Sequence, residues 1–207
     1  MSSEEIQPAA ATNAAPEGPT RSALVVVDVQ EGFNDPSWGQ RNNPACEANI
    51  AALLAAWRRT GEPIVFVRHD SQSAGSPLLT GQPGNDLQPL LTGDPDLLVT
   101  KSVNSAFHGS PDLHAWLVAQ GLSRIVVCGI TTNHCCETTA RVGGNLGLDV
   151  TFVIDATYTF DRTGPDGVTI DADTLSRVTA ANLHGEFADV VRTQDVLGRT
   201  RSGSGPH

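Results

Sequence analysis

The chain of 207 residues has 39% hydrophobic and 17% charged residues, which suits one globular domain and is too little for two full domains. Its 13 Lys and Arg against 23 Asp and Glu give a formal charge of -10, so we expect no nucleic-acid partner. No apolar stretch approaches the ~18 residues that cross a bilayer, and the N-terminus is acidic, which predicts no membrane contact and a cytoplasmic location.

Both ends of the chain are poor in apolar side chains. Residues 1–20 contain one strongly apolar side chain, Ile6, which is too little to offset the entropy lost on ordering. The closing segment RTRSGSGPH is likewise poor in apolar side chains. We therefore predict flexible tails at 1–20 and 199–207 and a single domain at 21–198.

Six short apolar runs rich in β-branched residues predict the strands of a sheet. The runs are unbroken and do not alternate with polar residues, which indicates strands covered on both faces. They lie at 23–28, 64–68, 97–100, 124–129, 150–155 and 188–193.

Helical patterns separate these runs. Asn43 is the predicted cap of the first helix, which Gly61 ends, and Asp112 begins a second helix that Gly121 ends. The third and fourth helices are predicted at about 133–146 and 173–183. This alternation predicts an α/β fold, a single-domain, doubly wound (Rossmann-like), three-layer architecture with a central parallel sheet of about six strands.

The long connection at 71–96 is rich in Gly, Pro and Asp and has no clear period, which is typical of a lid or a binding loop. The chain lacks G-x-G-x-x-G, the phosphate-binding G-x-x-x-x-G-K-[ST] and the serine-hydrolase G-x-S-x-G. We therefore expect neither a nucleotide cofactor nor a serine nucleophile.

Three reactive side chains stand at predicted strand ends, namely Asp28, Lys101 and Cys135. Taken alone, Asp28 could be a turn residue and Lys101 a solvated charge. Lys101 is the only lysine of the chain, however, which favours a position where a compact ammonium fits and a planar guanidinium does not. Only the fold can bring the three together, because 73 and 34 residues separate them along the chain.

Four cysteines are present without a C-x-x-C pair, and we expect reduced thiols. Cys135 would lie in the first turn of the third helix, capped by Thr132, where the helix dipole lowers a thiol pKa. Cys128, in an apolar strand, and Cys136, which points about 100° away from Cys135, are expected to pack. Cys46 is expected to be structural or exposed.

The adjacent cysteines Cys135 and Cys136 offer two other candidate functions. A metal bound by His134, Cys135 and Cys136 is disfavoured because adjacent residues do not converge on one tetrahedral ion. A redox pair of Cys135 and Cys136 lacks the usual two-residue gap.

The segments VVVDVQEGF, KSVNSAFHG and GITTNHCCETTAR resemble the three signature segments of the isochorismatase-like cysteine hydrolase superfamily, over roughly Ala23 to Val196. The resemblance implies a doubly wound fold, an Asp-Lys-Cys catalytic triad at Asp28, Lys101 and Cys135, and a homodimer or homotetramer. It also implies a cis peptide before Thr131 and an oxyanion hole formed by the amides of Thr131 and Cys135.

The superfamily's nicotinamidases bind zinc through Asp-x-His and a later His, whereas this chain has VRHDSQSAGSPL. His69 precedes Asp70 and the next histidine is His108, which disfavours a metal-dependent nicotinamidase. The segments RHDS, SPL and LHGEFA resemble the metal-free branch that includes amidases such as streptothricin hydrolase. We expect no metal and no cofactor.

The sequence therefore predicts a hydrolase that cleaves a C–N bond of a small-molecule substrate, in an amide, lactam or ureido group, through a thioester on the cysteine. One alternative is a vinyl-ether hydrolase of the isochorismatase type, and another is a non-catalytic or redox-responsive binding protein on the same fold. The residues predicted to line the substrate pocket are Phe33, Trp38, His69, Phe107 and Asn133.

Overall fold

The computed structural model describes the backbone of residues 21–202 and the side chains of residues 21–198. Its strands are β1 (Ala23–Val27), β2 (Ile64–His69), β3 (Leu97–Lys101), β4 (Arg124–Ile130), β5 (Asp149–Tyr158), β6 (Arg162–Thr163), β7 (Thr169–Ile170) and β8 (Asp189–Val191). Six of them form one parallel sheet in the order β3-β2-β1-β4-β5-β8, while β6 and β7 form a short antiparallel hairpin. The six predicted strands and the predicted fold class are confirmed.

Helices cover both faces of this sheet. They are α1 (Cys46–Thr60), α2 (Leu113–Ala119), α3 (Glu137–Asn145), α4 (Ala172–Leu183) and α5 (Thr193–Ser202). Buried residues of α1 and α5 belong to one apolar cluster, and those of α2, α3 and α4 to a second cluster on the opposite face. The result is a three-layer, doubly wound domain.

The central strand β1 shows why the apolar runs are unbroken. Leu24 and Val26 pack into the cluster under α1, whereas Val25 and Val27 pack into the cluster under α2 and α3. Each of these side chains is fully buried, because successive residues of a strand point to opposite faces and both faces carry helices.

The start of α1 differs from the prediction. Asn43 does not cap the helix, which begins at Cys46. The backbone of Asn43 is instead in the left-handed region (φ 45°). Its side-chain amide donates hydrogen bonds to the carbonyl oxygens of Asp155 and Thr157 in β5. Asparagine tolerates this conformation, so the residue ties the loop after β1 to the sheet. The predicted end at Gly61 is confirmed by its φ of 71°.

The predicted third helix consists of two parts. A turn of π-helix at Thr132–Cys136 precedes the regular helix α3. Thr132 is not the cap as predicted; Thr131 stands at that position, and the Thr132 hydroxyl donates to Thr157 Oγ1 at 2.9 Å.

Helix α5 was not predicted from the sequence. It begins at Thr193, whose amide donates to the Asp155 carboxylate, and it runs to Ser202, beyond the predicted domain end at 198. Its composition is polar apart from Val196 and Leu197, which contact the cluster under α1, so its periodicity was weak. The proposed tail at 1–20 and residues 203–207 lie outside the described part of the chain.

The long connection at 71–96 is pinned to the strand ends by buried amide side chains. Gln30 donates to the carbonyl oxygens of His69 and Asn85, and Asn85 donates to those of His69 and Leu78. Gln88 donates to the carbonyl oxygen of Gln30. A predicted loop of 26 residues is thus held against the edge of the sheet where the reactive side chains stand.

Within residues 21–202, the structure contains no helix long and apolar enough to cross a membrane.

Candidate active site

The carboxyl ends of β1, β3 and β4 bring the three predicted reactive side chains together. Lys101 Nζ lies 2.6 Å from Asp28 Oδ2, and both side chains are fully buried. One carboxylate oxygen of Asp28, the sulfur of Cys135 and one ring nitrogen of His69 all lie within 4.8 Å of one another. A carboxylate, an ammonium and a thiol therefore share one buried site, as parallel strands with a common edge allow.

Asp28 reaches this site because the chain turns sharply as it leaves β1. Its backbone is left-handed (φ 51°), its amide donates to the carbonyl oxygen of Val67, and its own carbonyl accepts from the amide of Gln30. Oδ2 accepts from Lys101, while Oδ1 is buried with no hydrogen-bond partner among the described residues. This second oxygen is therefore placed to accept a proton.

Cys135 lies in the π-helical turn that follows β4. The Ile130–Thr131 peptide that precedes the turn is cis, as the resemblance implied. The Cys135 thiol donates to Asn104 Oδ1 at 3.8 Å and its residue is 8% exposed, whereas Cys46, Cys128 and Cys136 are fully buried. All four cysteines are free in the structure, and Cys135 is the most exposed of them.

The prediction of a lowered Cys135 pKa is wrong. Burial raises the pKa of the Cys135 thiol, the Asp28 carboxylate raises it further, and the opposing effect of Lys101 is smaller. The physical reason is that Asp28 neutralises most of the field of the ammonium, while burial disfavours the thiolate. The resting site therefore holds a thiol, a carboxylate and an ammonium.

This charge state makes a prediction for alkylation. Because the thiol pKa is raised, the thiolate fraction of Cys135 at neutral pH is small, and iodoacetamide should modify it more slowly than a free cysteine of pKa about 8.5. The rate of alkylation of Cys135 should still increase with pH above about 8.5, where that of a free cysteine levels off. Peptide mapping with mass spectrometry over a pH series measures this rate. Rapid modification of Cys135 below pH 8, faster than that of free cysteine, would contradict the assignment of a resting thiol.

Lys101 stays charged in the buried site. Burial alone lowers the pKa of Lys101, but the adjacent Asp28 carboxylate and the Cys135 sulfur outweigh it and raise the pKa above its ordinary value. A permanent ammonium beside the sulfur can stabilise a thiolate once the proton has left.

His69 joins this cluster. Its Nδ1 atom lies 3.1 Å from Lys101 Nζ, and the two residues are direct neighbours in the register of β2 and β3. Burial, reinforced by Lys101, lowers the pKa of the imidazole. His69 is therefore the one predicted pocket residue that the structure places in hydrogen-bond contact with a triad side chain, among the contacts described.

The other predicted pocket residues lie around the site. The rings of Phe33 and Trp38 are tilted, with centroids 5.2 Å apart, and both stack on Phe160, while the Trp38 indole donates to the carbonyl oxygen of Gly32. Asn133 Oδ1 accepts from the Thr159 hydroxyl at 2.5 Å. Phe107 packs over α3, where a β-carbon on Gly143 would lie 3.3 Å from its ring. Contact of these side chains with substrate stays a prediction.

Two residues at the site were missed by sequence reasoning. Asn104 accepts from the Cys135 thiol, and Gln30 fixes the backbone of His69 through its amide nitrogen and oxygen. Both stand inside motif segments, Gln30 in VVVDVQEGF and Asn104 in KSVNSAFHG, which is the only signal that pointed to them.

The spacing of Asp28, His69 and Cys135 is that of a possible metal cluster. The Lys101 ammonium, however, lies within hydrogen-bond distance of both Asp28 and His69. A fixed positive charge at this point repels a divalent cation, so these residues fit a metal poorly.

Comparison with known proteins identifies the family. Residues 22–184 match the model of the isochorismatase domain. The chain is 35% identical to YrdC, an isochorismatase family protein of Bacillus subtilis, over 86% of this chain and 95% of that protein. A crystal structure of an isochorismatase-family protein from Chromobacterium violaceum has a TM-score of 0.83 and 37% identity, covering 91% of this chain and 99% of that chain.

Two further relatives carry named activities. Nicotinamidase 3 of Arabidopsis thaliana is 33% identical over 68% of this chain and 75% of its own length. Streptothricin hydrolase of Streptomyces noursei is 31% identical over 84% of this chain and 63% of its own length. The domain match, these relatives and the shared fold together show that the chain belongs to the isochorismatase family of hydrolases.

Proposed function

We propose that this protein is a cysteine amidohydrolase that cleaves a C–N bond of a small molecule, in an amide, lactam or ureido group, through a thioester intermediate. Cys135 is the nucleophile, Asp28 the general acid and base, and Lys101 the charge that stabilises the thiolate. The observation that carries this proposal is the meeting of a thiol, a partner-free carboxylate oxygen and a buried ammonium in one buried site.

Acylation follows from the charge state of the resting site. Asp28 Oδ1 takes the proton of the Cys135 thiol as the sulfur attacks the substrate carbonyl carbon, and Lys101 offsets the charge on the sulfur. The amides of Thr131 and Cys135 are proposed to bind the oxyanion. When the tetrahedral intermediate collapses, the C–N bond breaks, the leaving nitrogen takes the proton from Asp28, and a thioester remains.

In deacylation, Asp28 again acts first as a base and then as an acid, with water in place of the thiol. Asp28 takes a proton from a water molecule as the water oxygen attacks the thioester carbonyl carbon. The C–S bond breaks, the acid product leaves, and the sulfur regains its proton from Asp28. The site returns to a thiol, a carboxylate and an ammonium, with water and the amide consumed.

The support for C–N cleavage over ether cleavage is twofold. A nucleophilic thiol with an adjacent base suits acyl transfer, in which a covalent intermediate replaces one difficult step by two easier ones. Nicotinamidase 3 and streptothricin hydrolase are relatives over at least 68% of this chain.

The proposal is tested by intact-mass spectrometry during turnover of a panel of primary amides, lactams and ureido compounds. We expect release of ammonia or amine and a transient adduct with the mass of the acyl group, mapped to Cys135, and a chelator should leave the rate unchanged. Hydrolysis of a vinyl ether without amine release or adduct would contradict it in favour of the ether hydrolase. Absence of turnover on every substrate class would favour the non-catalytic binding protein.

We also propose a cytoplasmic homodimer or homotetramer that engages neither nucleic acid nor a membrane. The net charge of -10 supports the absence of a nucleic-acid partner, and the four free cysteines suit a reducing compartment. The homo-oligomer is what the resemblance to the superfamily implies. Light scattering coupled to gel filtration measures the assembly, and a monomeric mass at micromolar concentration would contradict it.

A further inference from the structure

One nitrogen of the His69 imidazole contacts the predicted triad. Nδ1 faces Lys101 Nζ at 3.1 Å. An ammonium can only donate, so Nδ1 must be the acceptor, and the ring proton of the neutral imidazole is on the other nitrogen.

The backbone of His69 is fixed from two sides. Its amide donates to Gln30 Oε1 at 2.8 Å, and its carbonyl oxygen accepts from Gln30 Nε2 and from Asn85 Nδ2, each at 3.0 Å. Gln30 and Asn85 are themselves 0% and 4% exposed. The imidazole is therefore presented to Lys101 by a rigid and buried support.

The Lys101 ammonium has three N–H donors, and the site offers three acceptors. Asp28 Oδ2 takes one at 2.6 Å and His69 Nδ1 takes another at 3.1 Å, and the Cys135 sulfur lies within 4.8 Å of a carboxylate oxygen of Asp28 and a ring nitrogen of His69. A lysine stem has four rotatable carbons, so a single contact to Asp28 does not define where the remaining N–H bonds point.

We propose that His69 is a positioning residue, which holds the Lys101 ammonium so that its third N–H is directed at the Cys135 sulfur. This inference rests on the proposed function, because the ammonium has to stabilise the thiolate as it forms. The sequence-based expectation that His69 contacts the substrate stays a separate prediction, which the same test addresses.

The electrostatic surroundings keep the ring in the required neutral form. Burial lowers the pKa of His69 and the Lys101 ammonium lowers it further, against the opposing effects of Asp28 and Asp70. Protonation would remove the acceptor at Nδ1 and place a second cation 3.1 Å from the ammonium.

The test compares His69→Asn with His69→Leu. Asn places a carboxamide oxygen near the position of Nδ1, whereas Leu fills a similar volume without any acceptor. With the amide found in the substrate panel, we expect His69→Leu to lower kcat by about 10- to 100-fold with KM unchanged, as for a misplaced catalytic group. His69→Asn should retain most of the kcat.

Other results would overturn the proposal. A higher KM with unchanged kcat in His69→Leu would show a substrate contact, and equal losses in both variants would show a packing role. Circular dichroism and thermal unfolding check that both variants are folded.

Alkylation of Cys135 supplies a second readout that needs no substrate, so it separates this inference from the proposed function. At a fixed pH, iodoacetamide should modify Cys135 more slowly in His69→Leu than in the wild type, because the ammonium no longer lowers the thiol pKa as effectively. The Asn variant should react like the wild type. Equal rates in all three proteins would overturn the positioning role even if amide turnover were established.

Discussion

Replacing Cys135 with alanine is expected to abolish turnover while the protein remains folded. The sulfur is the proposed nucleophile, and removing a nucleophile lowers kcat by about 10³-fold or more. The side chain is small and lies at the edge of the pocket, 8% exposed, so its loss leaves the core intact. Steady-state kinetics and intact-mass spectrometry measure the loss of both product and acyl adduct.

Cys136→Ala is the matched control, because it removes a neighbouring thiol that is fully buried and does not belong to the cluster of Asp28, His69 and Cys135. It should keep the catalytic rate of the wild type, although it can lower stability by leaving a small cavity. Full activity in Cys135→Ala, or loss of activity confined to Cys136→Ala, would show that the nucleophile has been misassigned.

Breaking the buried ion pair is expected to have the largest effect on stability. Lys101→Met leaves the Asp28 carboxylate fully buried without its cation, which should lower the free energy of unfolding by about 3–5 kcal/mol.

Asp28→Asn keeps the shape of the side chain and tolerates the left-handed backbone, but it removes the base, so kcat should fall by about 10²- to 10⁴-fold. Urea unfolding and steady-state kinetics measure the two effects.

The double variant Asp28→Asn with Lys101→Met separates stability from catalysis. Because no unpaired charge remains buried, it should recover most of the stability lost in Lys101→Met and none of the activity. Arg124→Met is the control, since the Arg124–Asp149 pair is 39% and 57% exposed and its loss should cost about 0–1 kcal/mol. Equal destabilisation by Lys101→Met and Arg124→Met would contradict the buried pair.

The residues of the candidate site could be selected from the sequence because each is tied to a local pattern. Asp28 and Lys101 end apolar runs that a covered sheet requires, and Cys135 follows a third run within a motif that the family shares. The common edge of a parallel sheet then implies that strand ends meet, although the three lie far apart along the chain.

Several features of the same region could not be derived locally. Helix α5 has few apolar residues, and the capping role expected of Asn43 was lost to contacts with β5, 112 and 114 residues away. In both cases the local structure depends on contacts with residues that are distant in sequence. A pattern of neighbouring residues carries no information about such contacts.

The class of fold, the succession of strands along the chain and the candidate nucleophile all follow from local sequence, because apolar periodicity and motif spacing are properties of short segments. The raised pKa of the Cys135 thiol and the contact of His69 Nδ1 with Lys101 Nζ depend on the packed fold. Protonation and hydrogen-bond direction depend on burial and on distances of a few ångströms between charges, and those quantities exist only once the strands are packed side by side.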